Sequence, residues 1–440
     1  MRDVLRLILE DSISSPLREL TRRDVALPRV PGKVQAIIGM RRAGKTCFLQ
    51  QCMAERLAAG HPRDSMVYVS FDDERLTGME AAQLHWVLEE YYRLCPKHRD
   101  SRRVMFCFDE IQGVPGWETF IRRIVDSEKV DIFLSGSSAK MLSREVATSL
   151  RGRAMESVVH PFSFREHLRH LNDEPAPDKP FGKAQRSRLE RAFASYLKTG
   201  GFPEAQSVPT AEQVSLLQGY VDTVILRDVM ERHGVTNLTA LRQLTRQLLN
   251  APAGLFSMHR FFNEQKSRGV AVSKDALHAM LGYLEDAFLV RLLPIHTSSE
   301  RQRQSNPRKG YPVDPGLIHA YDRTGRANTG HALETAVMIE LERRRHTLAY
   351  VKTTEGYEVD FMASPLTGKP QLIQVCADIS NPETLHREFR ALEAAMKEQR
   401  GLKGCLLTLD STGILQASAA APRNVTVLPA WEWMLATHSD

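Results

Sequence analysis

The sequence predicts an α/β fold built on a parallel sheet, and three observations point there. From Val34 onward, short apolar runs alternate with amphipathic helical stretches. The string GMRRAGKT at 39–46 joins the first run to a helix, and a second strand-rich segment follows residue 331. At 440 residues the chain is too long for one ordinary domain. Apolar residues make up 42% and charged residues 25%, as in soluble globular proteins, which excludes a disordered chain. The formal charge of +6 leans only mildly toward anionic partners.

Residues 1–30 read as an amphipathic helical lead-in that ends in a loop bounded by Pro28 and Pro31. Arg2, Asp3 and Arg6 break the N-terminal apolar patch and no small-residue cleavage site follows, so it is not a signal peptide. No stretch approaches the ~20 apolar residues that span a bilayer, and a cytoplasmic location without membrane contact is expected. The six cysteines at 47, 52, 95, 107, 376 and 405 form no CxxC pair, so neither a disulfide framework nor a zinc site is implied. Cys107, inside an apolar run, reads as a small core residue.

Strand-like runs occupy 34–39, 66–71, 104–108, 131–136 and 155–160. Helices dominate from Phe164 to about 250, with a polar, proline-rich loop at 171–181 and the turn KTGGFPEA at 198–205. Residues 254–296 read as helix, turn, helix and short strand, with Ser273 as N-cap and Leu277, Met280, Leu281 and Leu284 on one face. A basic loop at 300–310 follows. A helix at 331–344 then leads to strands near 348–352, 358–363, 371–377 and 404–409.

The string at 39–46 fits G-x-x-x-x-G-K-[ST], and its place between strand and helix is what phosphate binding requires. Glycines let the backbone wrap an anion, and the amides with the helix N-terminus supply positive potential. Gly39, Met40, Arg41, Arg42, Ala43, Gly44, Lys45, Thr46 and Cys47 are therefore expected to hold ATP. Lys45 would meet the β- and γ-oxygens and the Thr46 hydroxyl would ligate magnesium. The run VMFCF ends in Asp109-Glu110 at the carboxyl edge of a strand. Asp109 is the expected second magnesium residue, and Glu110 the general base for the attacking water. In LSGSSAK at 134–140, Ser135 or Ser137 would contact the γ-phosphate or the water, a turn with a helix cap being the bland alternative. In LRGR at 150–153, Arg151 and Arg153 are candidates to stabilise γ-phosphate charge, within the chain or across to a neighbour, and Arg153 is preferred.

Taken together, IIGMRRAGKT, FDEIQ, LSGSSAKMLS, LRGR, HPFSFREHL, GGFPEA and RDV at 227–229 resemble the prokaryotic AAA-type ATPases of the AAA_14 class, over about 15–410. That resemblance implies a core sheet of order 5-1-4-3-2 over 31–165 and a helical lid over 166–250. It also implies a winged-helix-like element over 251–330 and a restriction-endonuclease-like domain over 331–440. Gly201-Phe202-Pro203 resembles the Gly-x-Pro motif of the lid, which would set Pro203 near the nucleotide; the residues themselves give only a turn before a helix. In the endonuclease-like domain Glu334 matches a helical acid, Asp360 a strand acid and Gln374 an acid stand-in, while Cys376 replaces the lysine. Cleavage activity is therefore not expected of it. The implied function is an ATP-hydrolysing switch that moves the C-terminal region, with DNA as its partner. A protein-directed switch and an ATP-gated metal nuclease are the alternatives, and self-association is left open.

Overall fold

Five apolar runs become five strands of one parallel sheet because each can be covered by helices on both faces. A computed structural model describes residues 1–28, 30–136, 152–176, 180–322 and 328–436. Ser137 and Arg151 lie outside the described residues. The chain divides into two compact units, Met1–Val159 and His160–Asp440.

The first unit opens with α1 (Arg2–Ser14) and continues through β1 (Val34–Ile38), α2 (Lys45–Ala58), β2 (Met66–Ser70) and α3 (His85–Leu94). It closes with β3 (Val104–Asp109), α4 (Trp117–Ser127), β4 (Val130–Gly136) and β5 (Ala154–Val158). All pairings are parallel, in the order β2-β3-β4-β1-β5, which is the expected order read from the other edge. Every residue of β3 is buried, as a central strand requires. On α4, Trp117, Phe120, Ile121 and Ile124 are buried, the i, i+3, i+4, i+7 stripe of a one-faced helix.

The second unit begins with α5 (Phe164–His170), α6 (Lys183–Thr199) and α7 (Thr210–Thr223). The RDV string then falls in a π-helical stretch, Val224–Glu231, where Asp228 is buried. Next come α8 (Leu238–Asn250), β6 (Leu255–Phe256), α9 (Met258–Ser267), α10 (Lys274–Asp286) and β7 (Val290–Leu293). Ser273 caps α10 by accepting from the Ala276 amide at 3.1 Å, and the four expected apolar residues are buried. The segment expected as a basic loop is instead α11 (Glu300–Ser305) and the start of β8 (Arg308–Pro312). β8 is the middle strand of an antiparallel sheet ordered β6-β8-β7; it pairs with β7 across α11 and with the much earlier β6, Leu255 opposite Lys309, a pairing that no local pattern announced.

After α12 (Pro315–Tyr321) and α13 (Thr329–Arg343) comes a five-stranded sheet in the order β13-β12-β11-β10-β9. Its strands are β9 (Thr347–Lys352), β10 (Glu358–Ser364), β11 (Gln371–Cys376), β12 (Lys403–Thr408) and β13 (Val425–Pro429). The first three pair antiparallel and the last three parallel. α14 (Pro382–Glu398) packs Phe389 and Leu392 on one face, with Leu372 and Leu406. On the other face Leu333 and Val337 of α13 share a core with Phe164 of α5, Phe193 and Tyr196 of α6, and Trp431 of α15 (Ala430–Leu435). Helices α5 and α6, expected within a separate lid, are thus built into the C-terminal core.

Candidate nucleotide-binding site

The loop between β1 and α2 can take its path only with glycine at its start. Gly39 adopts φ 151°, and a Cβ there would lie 2.2 Å from the Val159 carbonyl oxygen. At the other end Gly44, with φ 97°, precedes the first residue of α2. Between them Met40 and Ala43 are buried and Arg42 is exposed, while Thr46 and Cys47 open the helix on its exposed side. Arg41 is half-buried. The buried Lys45 folds back over the loop, its ammonium 3.1 Å from the carbonyl oxygens of both Gly39 and Met40. The segment before β1 braces the loop from below: the Arg23 guanidinium donates to the Ala43 carbonyl at 2.9 Å.

The next strand ends supply the acids. Asp109 closes β3 and is 4% exposed, so its charge depends on hydrogen bonds. Three hydroxyls provide them. Thr46 donates to Oδ2 at 2.7 Å, Tyr68 to the same oxygen at 2.6 Å, and Ser135 to Oδ1. Burial, and then the Asp109 charge, push the Tyr68 hydroxyl well above its usual range, so it stays a donor at any ordinary pH. Glu110 follows at φ 52°, a left-handed position that costs a non-glycine residue roughly 1–3 kcal/mol. The cost turns its side chain off the strand line, where Gln112 donates to it.

β4 lies between β1 and β3, so Ser135, paired with Ile37 in register, sits beside both loop and acid. It is fully buried, and besides bonding Asp109 it accepts from the Glu110 amide at 3.2 Å. Its hydroxyl thus bonds the Asp109 carboxylate and the Glu110 backbone amide. Tyr68 was not singled out from the sequence at all; its one signal was a tyrosine on the inward alternation of an apolar strand.

Arg153 does not reach the loop of its own chain. Its carbonyl accepts from the Val34 amide at the beginning of β1, so it stands at the opposite edge of the sheet, about 17 Å away along the strand. There it makes two 3.1 Å bonds to Asp126.

Pro203 belongs to the second unit, where packing accounts for the glycines before it. A Cβ on Gly200 would lie 1.8 Å from Asp314 Oδ1, and one on Gly201 would lie 2.2 Å from the Phe162 carbonyl oxygen. The Gly201 amide donates to Asp314 Oδ2 at 2.7 Å, and Phe202 is fully buried.

Also in the second unit, Glu334 on α13 and Asp360 on β10 converge, joined by Glu358 and by a residue that the sequence did not point to, Lys309 on β8. Gln374 departs from expectation. Its amide nitrogen donates to Glu388 Oε2 at 2.8 Å and its oxygen accepts from the Asp360 amide, so it faces α14 as a neutral linker. The Cys376 thiol, raised to about 11 by burial and then by Glu388, is not a lysine surrogate. In the first unit Asp64, Cys95 and His98 also converge, but Lys97 lies 2.7 Å from Asp64 and already supplies its cation.

A family model described as an AAA domain matches residues 31–168, and one described as a domain of unknown function (DUF8612) matches residues 190–328. The first unit is accordingly an AAA-type P-loop ATPase domain by family. An uncharacterised protein of Methanocaldococcus jannaschii, MJ1544, is 31% identical over 438 residues, covering 97% of this chain and 94% of that protein. An uncharacterised protein of Haemophilus influenzae is 28% identical over 358 residues, covering 80% of this chain and 84% of its own length. Among solved structures, the Walker-type ATPase PABY2304 of Pyrococcus abyssi aligns with a TM-score of 0.39 at 15% identity, covering 73% of this chain and 95% of that one. Among the described residues no helix is long and apolar enough to cross a membrane.

Proposed function

The chain belongs to the family of the Methanocaldococcus jannaschii protein MJ1544, and we propose that it is an ATP-binding and ATP-hydrolysing molecular switch. One arrangement carries this reading: Lys45, Thr46 and Asp109 meet around a loop shaped to wrap an anion. The amides of 40–47 cradle the phosphates and Lys45 neutralises their outer oxygens. The Thr46 hydroxyl and Asp109 carboxylate, 2.7 Å apart, are the oxygen donors a hard cation prefers. They would hold magnesium, which would withdraw charge from the β- and γ-oxygens. Glu110 polarises the attacking water, and Ser135 orients the Asp109 carboxylate and anchors the Glu110 backbone.

The output is the second unit, taken as one body because α5 and α6 share its core. Within it, α8, β6, α9, α10 and the β7–β8 hairpin follow the order of a winged helix, with Arg301 and Arg303 exposed on the hairpin and Arg260 exposed on α9. That arrangement favours DNA as the partner. The test is steady-state phosphate release with magnesium-ATP, with and without single- and double-stranded DNA. Stimulation that falls steeply with salt is expected. A rate that depends on Lys45 but ignores DNA would replace the DNA reading with a protein-directed switch.

A further inference from the structure

Lys309 enters the C-terminal acid cluster from outside the elements that carry the acids. Glu334 comes from α13, and Glu358 and Asp360 from β10, whereas Lys309 lies on the middle strand of the small β6-β8-β7 sheet. Its ammonium is 2.9 Å from Asp360 Oδ1, 2.8 Å from Glu358 Oε1 and 3.2 Å from Glu334 Oε1, and the side chain is 4% exposed. An ammonium has three protons, and here each faces a different carboxylate. Further acceptor positions are taken as well. The Tyr311 hydroxyl donates to Glu334 Oε1 at 2.8 Å and the Val375 amide to Asp360 Oδ2 at 2.9 Å.

Carboxylates converging on one buried point form the donor set of a hard divalent cation. An ion and an ammonium cannot share that point. We propose that Lys309 is a built-in cation occupying a divalent-cation site, so that the C-terminal domain as folded is closed to metal and β8 is pinned to it by the same contact. Three acids within 3.2 Å hold the ammonium at that point. Gln374 and Cys376 add no cation to the cluster: Gln374 joins the Asp360 amide to Glu388, and the Cys376 thiol bonds the Asp378 carbonyl. Cation chemistry at this site requires Lys309 to leave, and with it β8.

The test is manganese binding to the nucleotide-free full chain, read by the electron paramagnetic resonance of the free ion. Lys309→Met is expected to gain one site about tenfold or more tighter than any in the wild type, lost again on adding Asp360→Asn. An Asp360-dependent manganese site in the wild type would overturn the proposal, because the lysine would then accompany the ion. A folded Lys309→Met that gains no site would overturn it equally. Because removing the lysine leaves buried acids unpaired, Lys309→Met/Glu334→Gln serves as the second variant, keeping Glu358 and Asp360 as ligands. Manganese is expected to raise the melting temperature of this variant, or to restore its folding where it is lost, and not that of the wild type. No response to manganese in either variant would refute the idea.

Discussion

Asp109 in the first unit and Asp360 in the second are both buried at the working edge of an α/β sheet, yet they are satisfied in opposite ways. Asp109 is held by neutral hydroxyls from Thr46, Tyr68 and Ser135, so its charge is oriented but uncancelled. Asp360, Glu334 and Glu358 meet one ammonium, so part of their charge is offset within the chain. A buried acid ringed by hydroxyls is poised for an incoming cation, and a buried acid paired with lysine is not. On the proposed reading, the first site takes its cation from outside and the second carries its own.

The comparison can be sharpened from the largest effect down. At the first site Lys45→Ala should lower phosphate release by at least about a hundredfold, since Lys45 is the buried cation folded over the loop; turnover close to wild type would break the assignment. At the second site Lys309→Met should cost about 3–5 kcal/mol of stability, the usual result of stranding a buried ion partner. Tyr68→Phe, which removes one of three hydroxyl hydrogen bonds to the Asp109 carboxylate, should cost less, about 1.5–3 kcal/mol. Denaturant melts of the two variants compare the sites directly, and equal losses would erase the distinction drawn between them.

A third buried acid extends the series. Among the described residues Asp314 accepts from the amides of Gly201 at 2.7 Å and Gly316 at 2.8 Å, with the Arg343 charge acting in the same direction. Burial, partly offset by these amides, raises its pKa from 3.8 to about 6. Between those values the folded chain binds more protons than the unfolded chain, so stability falls as pH rises through the window. The loss is about 3 kcal/mol in all. Asp314→Asn should flatten the dependence of melting temperature on pH between about 4 and 6, and an unchanged slope would assign it elsewhere. The smallest effect is expected at Arg153, whose exposed pair with Asp126 contributes about 0–1 kcal/mol. Arg153→Ala should leave hydrolysis nearly unaltered, and a large loss would mean that it acts on a neighbouring copy.

The two sites also differ in how far the sequence disclosed them. The phosphate loop is contiguous and its geometry follows from residue type, so 39–46 could be read directly. Asp109 and Glu110 were legible because an apolar strand ends there, and the sheet order came with the family resemblance. What Ser135 bonds to was not legible, since that depends on which side-chain and backbone groups of β3 come within its reach. Arg153 misled because LRGR abuts β5 without revealing which end of the sheet it occupies. Lys309 lies 25 residues from Glu334 and 51 from Asp360, within a stretch that reads locally as a basic loop. The GGFP turn likewise takes its shape from Asp314, 113 residues from Gly201, which no local pattern contains.

The central claim is that Asp109 and Glu110 serve a nucleotide held by Lys45 and Thr46, and Glu110→Gln tests it most directly. Binding of a fluorescent ATP analogue and single-turnover phosphate release would be measured on the same preparation with magnesium. The account predicts binding near the wild-type level with hydrolysis slowed by about 10²–10⁴-fold, the usual cost of losing a general base. Tight binding with unchanged hydrolysis would mean that another residue directs the water, and loss of binding would contradict the division of roles between loop and acid.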